Sequence, residues 1–194
     1  MKTHPFEPLA FEETKKLIIG TLPPETAPFY FSNGSNTRLW DILSSIDRGI
    51  AEISTKSNDL TRETKYDILK RLNLGIADII YKYEREVSYS TRDKDIIPKE
   101  YKNLIEIAEN SSVNEFLFVY QNAYKWFLHS LSHHCPVKTR DLNNQQYQIG
   151  FLQNIKLKNK EIKCYLLPSP LNRGRRGETL LFKLDFYRKL ILNK

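Results

Sequence analysis

"KKLIIGTLPPETAPFYFSNGSNTRLWDIL", residues 15–43, runs from an apolar stretch into an amphipathic one through a loop crowded with prolines and aromatics. Leu17–Ile19, ended by Gly20, shows no polar alternation, which marks a strand buried on both faces of a parallel sheet. From Leu39 the apolar residues Leu39, Trp40, Ile42, Leu43, Ile46 and Ile50 recur at helical spacing. Between them, Pro23, Pro24 and Pro28 stiffen the chain. Phe29, Tyr30, Phe31 and Trp40 supply flat apolar faces, and Asn33, Ser35, Asn36 and Thr37 supply donors and acceptors. Such a loop suits either a rigid plug of the sheet edge or a pocket for a planar ring.

The same grammar returns downstream. "NEFLFVYQN" (114–122) reads as a second core strand, with "AYKWFLHSL" (123–131) as its helix. "KEIKCYLLPSPLNRGRRGE" (160–178) again joins a strand to a proline-rich loop, now basic, before the amphipathic helix "TLLFKLDFYRKLILNK" (179–194). "NDLTRETKYDILKRLNLGIADIIYKYERE" (58–86) reads as a helix interrupted near Asn73–Gly75 and then a short apolar segment. "TRDKDIIPKEYKNLIEIAEN" (91–110) reads as a polar connection and a helix. The polar "CPVKTRDLNNQQYQIGFLQN" (135–154) fits a loop or a hairpin. Strands separated by helices predict an α/β fold with a mostly parallel sheet, in a single domain over 1–194. Ligands of such sheets sit beyond the carboxyl ends of the strands, the edge both proline-rich loops leave from.

Composition narrows the function. The chain has 194 residues, 40% hydrophobic and 12% aromatic, enough for one substantial core. No apolar run approaches a membrane span, and the first residues lack a signal-peptide core, so a cytoplasmic protein without a membrane partner is expected. Charge is uneven. The formal net is +7, yet residues 156–194 hold eleven Lys/Arg against three Asp/Glu, so the excess lies entirely there. A segregated basic segment suits a polyanion, nucleic acid first, against the alternative of a merely solvated basic face. In its loop, Pro168, Ser169 and Pro170 set a stiff turn with Leu171 projecting from the tip. Asn172, Arg173, Arg175 and Arg176 follow, with glycines between the arginines. Arginines of this kind hold phosphates, and an apolar tip can wedge into a base stack.

Other chemistries lack their marks. There is no phosphate-binding G-x-x-x-x-G-K-[ST], no G-x-G-x-x-G and no G-x-S-x-G. His129, His133, His134 and Cys135 lie close in sequence, but a second ligand pair is missing and His4 is remote, so no metal and no cofactor is expected. Cys135 and Cys164 are expected to be plain thiols.

Taken in order, "HPFEPLAFEETKKLIIGTLPPE", "FYFSNGSNTRLWDIL", "LNLGIADIIYKYERE" with Asp93 downstream, "NEFLFVYQNAYKWF" and "LLPSPLNRGRRGE" resemble the uracil-DNA glycosylase superfamily. Its mismatch-specific and hypoxanthine-type branches are the nearest. The resemblance implies a three-layer α/β/α sandwich around a central four-stranded, mostly parallel sheet. It implies a monofunctional DNA glycosylase, needing no cofactor, that flips a damaged, deaminated or modified base from DNA, hydrolyses its N-glycosidic bond and acts as a monomer. The base pocket would be formed by Gly20, Thr21, Leu22, Pro23, Pro24, Tyr30, Phe31 and Trp40. The intercalation loop would run through Pro168, Ser169, Pro170, Leu171, Asn172, Arg173, Arg175 and Arg176. The first turn departs from the pattern, having no Asp or Asn there to position water. Asn36 is the expected replacement, with Thr37 one residue out of register and Glu25 as alternatives. Asp78 is expected to be structural. A silent DNA-binding relative and a hydrolase of free nucleosides or nucleotides are the rival readings.

Overall fold

The computed structural model describes residues 1–32, 37–53, 60–88, 90–133, 135–172 and 178–193. The strands are β1 (Lys2–Thr3), β2 (Lys16–Gly20), β3 (Leu74–Asp78), β4 (Ile80–Arg85), β5 (Ile96–Tyr101), β6 (Glu115–Phe118), β7 (Gly150–Lys156) and β8 (Glu161–Leu166). The helices are α1 (Leu39–Asp47), α2 (Arg62–Arg71), α3 (Leu104–Glu109), α4 (Gln121–Ser132) and α5 (Leu180–Leu192).

The central sheet has the order β3-β2-β6-β8-β7. Its first four strands run parallel, and β7 pairs antiparallel with β8. The expected four-stranded sheet is therefore extended by one edge strand. That strand escapes the apolar-run signal because it has one sheet neighbour and several half-exposed side chains. A tight return at 157–160, closed by Leu157 N–H donating to Lys160 O (2.8 Å), folds it back onto β8.

A second sheet, β1-β4-β5, is wholly antiparallel. Strand β4 lies in the stretch read above as a short apolar segment and β5 in the one read as a polar connection, and Pro98, which has no amide hydrogen, sits on the edge strand β5.

Alternation along the parallel strands builds two cores. Leu17, Ile19, Phe116 and Phe118 face α3, α4 and the small sheet. Ile18 and Leu117 face α1, α2 and α5. Burying each such side chain is worth roughly 1.5–3 kcal/mol, which is why these short runs dictate the sheet centre. Elements stop where the backbone turns left-handed. Gly49 (φ 66°) follows α1, which ends before the apolar spacing does, and Asn73 (φ 53°) separates α2 from β3. Thr61 caps α2 by accepting from Thr64 N–H at 3.2 Å.

The parallel strands thus deliver Gly20, Asp78, Phe118 and Leu166 to one edge of the sheet. The loops that follow them make the site.

Candidate active site

Gly20 sets the floor. It stands opposite Asp78 in the β2–β3 register. A Cβ at Gly20 would lie 2.2 Å from Asp78 Oδ1 and 2.6 Å from Phe31 Cζ, so only glycine admits both groups. Phe31 adopts a left-handed backbone (φ 51°), uncommon for a bulky residue and unfavourable unless the surroundings enforce it. Its half-buried ring lies 6.2 Å from that of Tyr120, two residues beyond β6 and immediately before α4.

The other aromatics of the loop support it from behind. Tyr30 and Trp40 are at most 1% exposed. Trp40 Nε1–H donates to Tyr30 O (2.7 Å), and Tyr30 O–H donates to Phe6 O (3.2 Å). Of the expected pocket aromatics, Phe31 alone remains partly exposed. Leu22 is half-buried and packs against the core under the small sheet. Pro23 O accepts from Arg85 (3.0 Å), and Pro24 O accepts from Ala27 N–H (3.0 Å), which closes the turn.

Glu25 is flanked by two cations. Lys2 Nζ lies 2.5 Å and Arg85 Nε 3.7 Å from its carboxylate. Asn36, the expected water-positioning residue, lies outside the described residues, as do Arg173, Arg175 and Arg176. Thr37 is buried, and among the described residues its Oγ1 has no hydrogen-bond partner.

Two carboxylates reach the same edge. Thr21 O–H donates to Asp93 Oδ1 and Asn122 Nδ2 to Asp93 Oδ2, both at 2.9 Å. Burial pushes the Asp93 carboxyl above the usual carboxylate range, and the nearby Asp78 charge adds to this against the two hydrogen bonds. Asp78 itself is buried against His4, its Oδ2 lying 3.0 Å from the imidazole Nε2. Burial raises the Tyr120 hydroxyl as well, and the charges of Asp93 and Asp78 push it further.

Sequence reading left His4 and Asn122 out of the site and assigned Asp78 to structure. Asp78 and Asn122 carry a usable signal: each stands just where a strand ends or its helix begins at the carboxyl edge. His4 carries none, because only tertiary packing brings it 74 positions along the chain.

The second proline-rich loop lies directly against the first. Thr37 and Leu171 form an isolated antiparallel bridge, and Arg38 N–H donates to Pro170 O at 2.7 Å. Helix α5 holds this loop from below. Tyr187 O–H donates to Pro168 O (3.0 Å), and the almost fully buried Lys183 ammonium donates to Leu171 O (2.7 Å). Loss of solvation lowers the Lys183 pKa against the attraction of the Glu178 charge, and the carbonyl bond gives the buried ammonium a partner. Ser169 Oγ accepts from Leu171 N–H at 3.4 Å. Pro168 and Pro170 are buried, whereas Leu171 at the tip is 38% exposed.

The histidines of α4 are engaged locally. The rings of His129 and His133 stack at 4.4 Å, and His129 Nε2 lies 2.9 Å from Cys135 O. Among the described residues no three His, Cys, Asp or Glu side chains are grouped to hold a metal ion. Nor is any helix among them long and apolar enough to cross a membrane.

No protein-family model matches the chain, and no curated protein matches it. Among solved structures it is similar to the solution NMR structure of a "putative Uracil DNA glycosylase" from Methanosarcina acetivorans. The two share 22% sequence identity, covering 68% of this chain and 80% of that one, with a TM-score of 0.49.

Proposed function

We propose that this chain is a monofunctional DNA glycosylase acting on a base flipped out of the duplex. The observation that carries the reading is the junction of the two loops at Thr37–Leu171, which brings the aromatic loop after β2 beside the partly exposed Leu171. A base inside the stack is out of reach of any side chain, so chemistry on it requires eversion at a cost of a few kcal/mol. Leu171 fills the vacated space, and Arg173, Arg175 and Arg176 hold the distorted backbone through its phosphates. Phe31 and Tyr120 take the ring between Gly20 and the loop that follows β2.

Breaking the glycosidic bond then sends the electron pair out with the base and leaves an oxocarbenium-like sugar. Water adds at C1′, the departing base takes up a proton from solvent, and the water gives one back. Asn36 and Thr37 hold that water. Glu25, paired with Lys2 and Arg85, braces the first turn instead.

Single-turnover incubation with duplexes bearing deaminated and bulky modified bases, followed by alkaline cleavage, tests the proposal. Strand scission at the lesion supports it. Salt-dependent duplex binding with no base released from any substrate favours a silent DNA-binding protein. Base release from free nucleosides that survives neutralisation of the three arginines favours a nucleoside hydrolase.

A further inference from the structure

Beneath the first turn lies a buried acid–imidazole pair whose geometry is lopsided. His4 and Asp78 are 4% and 2% exposed. The imidazole is fixed on both sides: Nε2 meets Asp78 Oδ2 at 3.0 Å, while Nδ1 lies 2.7 Å from Phe6 O and 3.0 Å from Phe6 N. Tyr30 packs on the ring with centroids 5.5 Å apart. The second oxygen of Asp78 is treated differently. Among the described residues no hydrogen bond reaches Oδ1, which lies against Gly20 and beside the Phe31 ring edge. A carboxylate can accept about four hydrogen bonds, and burying one without partners is costly. An orienting contact on one oxygen, with the other left without a hydrogen bond among the described residues, is the arrangement of a working carboxylate rather than of a simple internal strut. Its charge reaches the neighbouring groups, helping to push up the titration of Tyr120 and Asp93.

We infer that Asp78 is the anionic catalytic group of this site and that His4 is the residue that positions it. Oδ1 stabilises the positive charge that develops over C1′ and O4′ of the flipped nucleotide. Asp78 acts electrostatically and forms no bond to the sugar. The base leaves with the bonding pair, water supplies the new C1′ oxygen, and protons exchange with solvent. Preorganised charge aimed at a developing ion is worth about 10²–10³ in rate when removed. This assignment rests on the glycosylase reading but is separable from it.

The test compares binding of two duplexes, one with a cationic pyrrolidine abasic-site analogue and one with its neutral tetrahydrofuran counterpart. The unaltered protein is expected to favour the cationic duplex by at least about tenfold, as a mimic of the charged intermediate requires. Asp78→Asn, which keeps the shape and a contact to His4, is expected to erase that preference and to slow single-turnover base release about 100-fold. His4→Ala should lose most of the preference and His4→Gln, which still donates to Oδ2, should recover part of it. Thermal unfolding of each variant confirms that it is folded, and the His4 variants decide the matter if Asp78→Asn is not. Equal binding of the two duplexes by the unaltered protein, or a preference that survives Asp78→Asn, overturns the assignment. Failure of the unaltered protein to release any base while it still prefers the cationic duplex overturns the glycosylase reading and leaves the charge role of Asp78 standing. Failure to bind either duplex overturns both.

Discussion

Thr37 and Leu171, 134 positions apart in sequence, are paired backbone to backbone in an antiparallel bridge. The pairing locks the loop after β2 to the loop after β8, and the neighbouring Arg38–Pro170 hydrogen bond of 2.7 Å reinforces it. Because Lys183 and Tyr187 of α5 bind the carbonyls of Leu171 and Pro168, the tip is anchored on both sides.

Leu171→Ala should therefore leave the fold intact and weaken eversion. Base release from paired substrates is expected to fall at least tenfold, and release from single strands less, since only the duplex needs a wedge. Equal losses on both would remove Leu171 from that role.

Asn36→Ala is expected to abolish base release while sparing duplex affinity, and Thr37→Val to slow it more modestly. Binding by fluorescence anisotropy and single-turnover cleavage separate the two effects. Unchanged turnover in Asn36→Ala would leave the water to Thr37 alone.

Gly20→Ala puts a methyl group 2.2 Å from Asp78 Oδ1 and 2.6 Å from Phe31 Cζ. His4 holds the carboxylate, so relief requires breaking that contact or tilting the ring. Overpacking of this kind costs about 1–3 kcal/mol, to be read from urea unfolding. Base release should fall further than stability does.

The Asp93 carboxyl binds its proton more tightly in the native state than in the unfolded chain. The sign follows from linkage. The stability it contributes is complete below its unfolded value of about 4 and is lost as pH rises through the raised native value. Asp93→Asn should flatten the unfolding free energy over that window. A variant curve that falls as steeply as the parent's would contradict this.

Burial pushes the Cys164 thiol up to about 12, whereas Cys135 is exposed. A chromogenic disulfide reagent at about pH 8 should titrate Cys135 in the native protein and Cys164 only after unfolding.

Much of the architecture was written locally. After their first residue "KLIIG" and "EFLF" are apolar without interruption, and a strand flanked on both sides has no other use for such a run, whereas "EIKCYL" alternates between exposed and buried positions. Helical spacing exposed α1, α4 and α5 for the same reason: one face of each must meet the sheet. The proline-rich loops declared themselves through residues that cost conformational freedom wherever they stand. Strands β4, β5 and β7 did not, because an edge strand or a two-sided ribbon buries only some of its side chains and leaves a mixed pattern. Nor could the chain's linear order show that Tyr30 and Trp40 turn inward while Phe31 stays partly exposed, since all three are equally aromatic. The difference is the left-handed backbone at Phe31, imposed by packing around Gly20. The approach of His4 to Asp78, and of Thr37 to Leu171, is likewise a consequence of sheet order. Sequence determined which segments become strands, helices and stiff loops, because those preferences act over a few residues. Tertiary structure decided which polar groups meet at the carboxyl edge of the sheet, because strand order brings together residues that local forces cannot connect.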